Sequence, residues 1–198
     1  MGAIFQSLQK TLIAGFVLLL VIITLVGAIT GEYVPLGEHA WWAFVMRWLH
    51  VLFGVLWVGL LYYFNFVQIP SMPKIPDEQK PAITRVIAPA ALMWFRHAAL
   101  WTVITGLSLS AMNGYILQAL TLQRPFIAIG IGMWLALAMA FNVWFIIWPN
   151  QKKALGIVTV EPAKKAAAAR LAMLTSRANT MLSIPMLYCM VAQQNGGL

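Results

Sequence analysis

The chain has 198 residues, of which 62% are hydrophobic and only 9% charged, and its mean hydropathy is +0.82. Such a composition excludes a soluble globular domain and leaves a polytopic membrane protein. The net charge of +8 is carried largely by loops between apolar stretches, where Lys and Arg set topology, so nucleic acid is not an expected partner.

Residues 12–29 form the first expected span, uniformly aliphatic and carrying no chemistry. It is long enough to be a retained helix rather than a cleaved signal. After a loop with Glu32, Glu38 and His39, residues 41–67 form the second span, opened by the interfacial pair Trp41–Trp42. Arg47, His50, Gly54 and Trp57 follow one another at spacings of three or four residues, so they share one helical face. A glycine one turn from a histidine leaves room for a flat ring against the backbone. The polar end of this span carries Tyr62, Tyr63, Asn65 and Gln68.

Four prolines (Pro70, Pro73, Pro76 and Pro81) predict a non-helical loop over 69–86. The third span, 88–112, contains Arg96 and His97, and a turn over 113–124 follows. Pro125 is well placed at a helix start, and the fourth span, 126–148, ends at Pro149–Asn150. Residues 151–171 carry five basic residues and an alanine-rich run, which predicts a helix on the membrane surface. The fifth span, 173–192, is the most polar, holding Arg177, Asn179, Ser183 and Pro185, and it must bury that face against its neighbours. The expectation is an all-α integral membrane bundle of about five helices forming a single domain, with four spans plus an interfacial helix as the alternative.

With five spans, nine Lys and Arg residues fall on the side of Lys10 and only Arg124 on the other. The positive-inside bias then predicts a cytoplasmic N-terminus and a periplasmic C-terminus in a bacterial inner membrane.

Counted from opposite ends of consecutive antiparallel spans, His50 and His97 both lie about 13 Å deep in a core about 30 Å thick. Two imidazoles at one level on facing helices are the ligand set of a bis-histidine haem b. Arg47 and Arg96 would meet the propionates, with Gly54 and Trp57 walling the ring. The competing reading is a pair of buried histidines bonding between helices. Copper or zinc lacks a third ligand at helical spacing, and the sole cysteine, Cys189, excludes thiolate clusters, an internal disulfide and C-x-x-C-H haem attachment. The scattered methionines are core filler or, less simply, a source of an axial sulfur. A second group, Asn65, Asn142, Arg177 and Asn179, falls in the cytoplasmic third. It suits a planar anion or a quinone headgroup, and equally suits amide bonds between helices.

The run from His50 through Gly54, Trp57, Gly59 and Tyr62–Gln68, together with the segment from Arg177 to Met186, resembles the membrane domain of bacterial membrane-bound urate oxidases. That resemblance implies a membrane bundle which, in the family, precedes a periplasmic cytochrome c domain that collects electrons from urate. This chain has no C-x-x-C-H and stops soon after the fifth span, so the cytochrome is expected to be lost or separate. The leading expectation is a small haem-b electron-transfer protein with cytochrome c or quinone as redox partner. A urate- or purine-oxidising enzyme and a cofactor-free subunit of a larger membrane complex or homo-oligomer are the alternatives.

Overall fold

A computed structural model of the protein describes residues 2–197. All regular structure among them is helical, with no strand. After a single turn at Gly2–Phe5 come α1 (Leu8–Thr30), α2 (His39–Lys74), α3 (Lys80–Met112), the short α4 (Ile116–Leu120), α5 (Ile127–Ala154) and α6 (Pro162–Asn195). Helices α1, α2, α3 and α5 are long and apolar enough to cross a membrane. The chain is therefore an all-α, multi-pass membrane protein. The contacts divide it into two units, Met1–Phe44 and Val45–Leu198.

In the first unit, α1 is aliphatic and its large side chains, such as Leu12, Phe16 and Leu20, are exposed. It ends at Gly31, whose φ of 77° is the left-handed conformation that closes a helix.

In the second unit the helices pack around Trp57, Leu61, Phe95, Met139, Val143 and Ile147, each 2% exposed or less. Close approach depends on small residues. A Cβ on Gly130 of α5 would overlap the Ala119 carbonyl of α4, so only glycine lets these two helices touch there. Along α6 the residues Ala168, Ala172, Ser176, Asn179, Ser183, Met186 and Cys189 are buried, a stripe repeating every three or four residues.

Three expectations are corrected. The 69–86 segment is mostly helical: α2 continues to Lys74 and α3 begins at Lys80, leaving residues 75–79 as the turn. Pro149 does not end the fourth span, which runs on to Ala154. Of the expected surface helix, residues 151–154 complete α5, 155–161 are a connection, and the rest joins the fifth span in one helix of 34 residues, less apolar than the four membrane-length helices.

The first two corrections share a cause. A proline ring collides with the carbonyl four residues before it in an α-helix. For Pro70, Pro89 and Pro149 that carbonyl belongs to Phe66, Arg85 and Phe145. Each lies inside a wider π-helical turn, at Tyr63–Gln68, Ile83–Ile87 and Asn142–Ile147 respectively. The wider turn makes room for the ring, and the helix continues.

Candidate functional site

A cavity of about 640 Å³ lies between α2, α3, α5 and α6 within the second unit. That is within the range of roughly 300–1,000 Å³ typical of small-molecule sites. Its existence follows from where α2 and α6 touch. Arg47 Nη1 donates to Gln194 Oε1 at 3.0 Å at one end, and Tyr62 Oη and Ser183 Oγ lie 2.9 Å apart at the other. Between these contacts the two helices stand apart, and α3 and α5 form the back wall.

His50 is the polar group in the middle of this space. Its Nδ1 lies 2.9 Å from the Thr102 carbonyl oxygen. A carbonyl only accepts, so Nδ1 carries the proton and donates it. In the neutral ring Nε2 then holds the free lone pair, and it has no protein partner among the described residues. Gly106 makes the placement possible, since a Cβ there would stand 2.7 Å from His50 Cε1. The Thr105 hydroxyl, 3.4 Å from His50 Nδ1, and the Thr102 hydroxyl are both turned back to carbonyls of their own helix.

Of the residues expected to hold a cofactor, Arg47, His50, Gly54 and Trp57 line this cavity. Trp57 is 1% exposed, and its indole N–H is buried with no acceptor. Tyr115, from the connection between α3 and α4, lines the Arg47 end, where burial pushes its phenol above the usual range, against a smaller downward pull from the Arg47 charge.

His97 and Arg96 are elsewhere, and the bis-histidine arrangement is not formed. The imidazole of His97 is exposed, donates from Nδ1 to the Met93 carbonyl at 2.7 Å, and packs edge-on to Trp144 with ring centroids 6.0 Å apart. Five to nine residues separate it from Thr102 and Gly106, where His50 sits. At about 1.5 Å and 100° per residue, it is roughly 8–13 Å along α3 and 140–180° around it. Equal depth counted from the span ends fails because α2 and α3 both run past the expected ends. Arg96 lies over the face of Trp148, 3.8 Å from the ring centroid, with a buried Nη1 that has no partner.

The second polar group is largely tied up between helices, although Asn65 Oδ1 is buried without a partner. Asn65 Nδ2 donates to the Leu61 carbonyl at 2.9 Å and to Ser176 Oγ at 2.8 Å. Asn142 Nδ2 donates to Asn179 Oδ1 at 2.7 Å, and Asn179 in turn donates to the Met139 carbonyl at 2.9 Å. Arg177 is exposed, and none of these four residues lines the cavity. Asn65 and Asn142 each sit in a π-helical turn, which aims its amide at α6.

Sequence reasoning passed over Thr102, Thr105 and Gly106. Their signal was present as the spacing of Thr102, Thr105 and Gly106, small or hydroxyl-bearing residues three and four apart on one face of the span.

Comparison with known proteins places part of this architecture. Residues 111–196 match the urate oxidase N-terminal family. The matched stretch holds α4, α5 and α6, and with them Asn142, Arg177, Asn179 and the cavity wall opposite His50. It includes the segment from Arg177 to Met186 that carried the resemblance, whereas the run from His50 to Gln68 lies outside it. The urate oxidase match thus relates this part of the chain to urate-oxidising membrane proteins. No curated protein and no solved structure matches the chain.

Proposed function

We propose that this chain is a membrane electron-transfer component of urate oxidation, and that its electron carrier sits in the cavity at His50. The family match over α4–α6 supports the link to urate. One observation carries the assignment of the site: an imidazole held on one side by the Thr102 carbonyl and the Gly106 notch, with its other nitrogen unpartnered in an apolar cavity. A tied second nitrogen is how proteins orient histidines that serve a ligand. Residence in a bacterial inner membrane accords with this role.

Haem b held by His50 and His97 does not fit, because His50 of α2 lies against Thr102 and Gly106 of α3, whereas His97 is on another face and at another level of that helix.

The test is urate-dependent reduction of an added electron acceptor by membranes bearing the chain. His50→Ala is expected to slow it by about tenfold or more, the order of effect of losing a ligand-orienting contact, while His97→Ala stays near wild type. An unchanged rate in His50→Ala would overturn the assignment. A reduced-minus-oxidised haem band lost in His50→Ala but kept in His97→Ala would make the carrier a haem held by one histidine.

A further inference from the structure

The cavity is open on one side, and the residues at its opening are apolar. Val51 and Val55 of α2, and Leu187 and Val191 of α6, line it and are also exposed; Val55 is 68% and Val191 60% exposed. These residues lie between the Arg47–Gln194 and Tyr62–Ser183 contacts, on α6 and on α2, which is long and apolar enough to cross a membrane. An opening flanked by valine and leucine at that depth faces acyl chains, not water. A ligand entering there comes from the lipid phase, and any part of it left outside must be soluble in lipid.

Inside, the polar groups are few: Tyr62 at the far end is paired with Ser183, and His50 and Arg47 lie one helical turn apart. His50 Nε2 offers a lone pair, and Arg47, one turn away, offers N–H donors beyond the one given to Gln194. A quinone becomes a quinol by gaining two electrons and two protons, so its ring oxygens change from acceptors to donors. A neutral imidazole accepts from a quinol hydroxyl, and a guanidinium donates to a quinone carbonyl. Both redox forms therefore find a partner on the same wall. The remaining walls, including Val58, Met133, Met186 and Met190, are apolar and suit a flat ring.

We infer that the His50 cavity binds a tailed quinone, with the ring against His50 and Arg47 and the isoprenoid tail leaving through the opening between Val55 and Val191. This rests on the assignment of the cavity as the carrier site and names the carrier's chemical class.

The test is binding of decylubiquinone, and of the same benzoquinone ring without a tail, to the purified protein in lipid nanodiscs, read as a concentration-dependent rise in Tm. The expected result is saturable binding of decylubiquinone, weakened about tenfold in His50→Ala, the order expected when a buried polar contact is lost. His50→Gln, which keeps an acceptor, recovers part of it. Val55→Trp with Val191→Trp narrows the opening and weakens the tailed quinone more than the tail-free ring. Absence of saturable binding, or equal binding in wild type and His50→Ala, overturns the inference, the latter marking simple partition into lipid. Equal effects of the tryptophan pair on both probes overturn the lateral route. If urate-driven electron transfer needs His50 but decylubiquinone does not bind, the quinone fails and the carrier site stands; if neither depends on His50, both fail.

Discussion

Asn179 is 0% exposed and joins α6 to α5 twice, accepting from Asn142 and donating to the Met139 carbonyl. Removing its amide takes the partner from Asn142 Nδ2, while the Met139 carbonyl keeps the backbone N–H of Asn142. Interhelical polar contacts in membranes contribute about 0.6 kcal/mol on average and up to roughly 1.7. Asn179→Leu, which also forces a branched side chain into a tight seam, is expected to lose about 1–2 kcal/mol, read from the denaturation midpoint in detergent. Depth alone left Asn65, Asn142 and Asn179 open to both a binding group and amide bonds between helices. Whether an amide points at a ligand or at another amide depends on the neighbouring helix, and here the partner atoms are Ser176, Asn142 and Met139. For His50 the sequence-level expectation was better placed. Arg47, Gly54 and Trp57 share its face by helical period alone, and all line one cavity.

At the scale of the helix, the prolines are the instructive case. A proline in an apolar stretch normally predicts an end, and Pro149 was expected to mark one. The structure instead widens the preceding turn in each of three helices, so that Pro70, Pro89 and Pro149 sit just after a π-helical segment. The same device turns Asn65 and Asn142 towards α6. Periodicity of 3.6 residues cannot reveal it, because one extra residue in a turn is invisible until the side chains are seen to shift face. Gly130 acts at this scale too. Gly130→Ala would drive a Cβ into the Ala119 carbonyl and part α4 from α5. Overpacking of this kind costs about 1–3 kcal/mol, to be measured as a lowered Tm, whereas Gly15→Ala, whose Cβ would meet nothing within 4 Å inside α1, is expected to leave Tm unchanged or raise it, since alanine is favoured over glycine in a helix by roughly 0.5–1 kcal/mol.

For the molecule as a whole, most charge sits at the ends and connections of the helices, with Arg47, Arg96 and Arg177 inside them, and the Lys80–Asp77 pair lies at one such connection. Lys80 donates to Asp77 at 2.6 Å, and its hydrogen bond and charge hold the Asp77 carboxyl below the usual range. A depressed folded pKa means that the contact stabilises above the ordinary carboxylate pKa of about 3.9 and is lost as pH falls through the lower folded value. The pair is exposed, so the effect stays local. The 75–79 turn is expected to open as pH drops below about 4 in the wild type, with Asp77→Asn showing no such step; hydrogen exchange corrected for its intrinsic pH dependence would read it.

Composition and hydropathy by themselves determined that this is an all-helical membrane protein and located its long apolar helices, because burial in lipid demands runs of apolar residues whatever their neighbours are. They also placed Arg47, His50, Gly54 and Trp57 on one face, because that follows from helical geometry within a single segment. Only the packing of helix on helix shows that His97 turns away from His50, that Asn142 bonds to Asn179 and Asn65 to Ser176, and that a cavity opens between α2 and α6. Each of these depends on the rotation and axial offset of one helix against another. Those offsets are set by small residues such as Gly106 and Gly132 and by wide turns such as Asn142–Ile147, whose effect appears only once two helices are packed together.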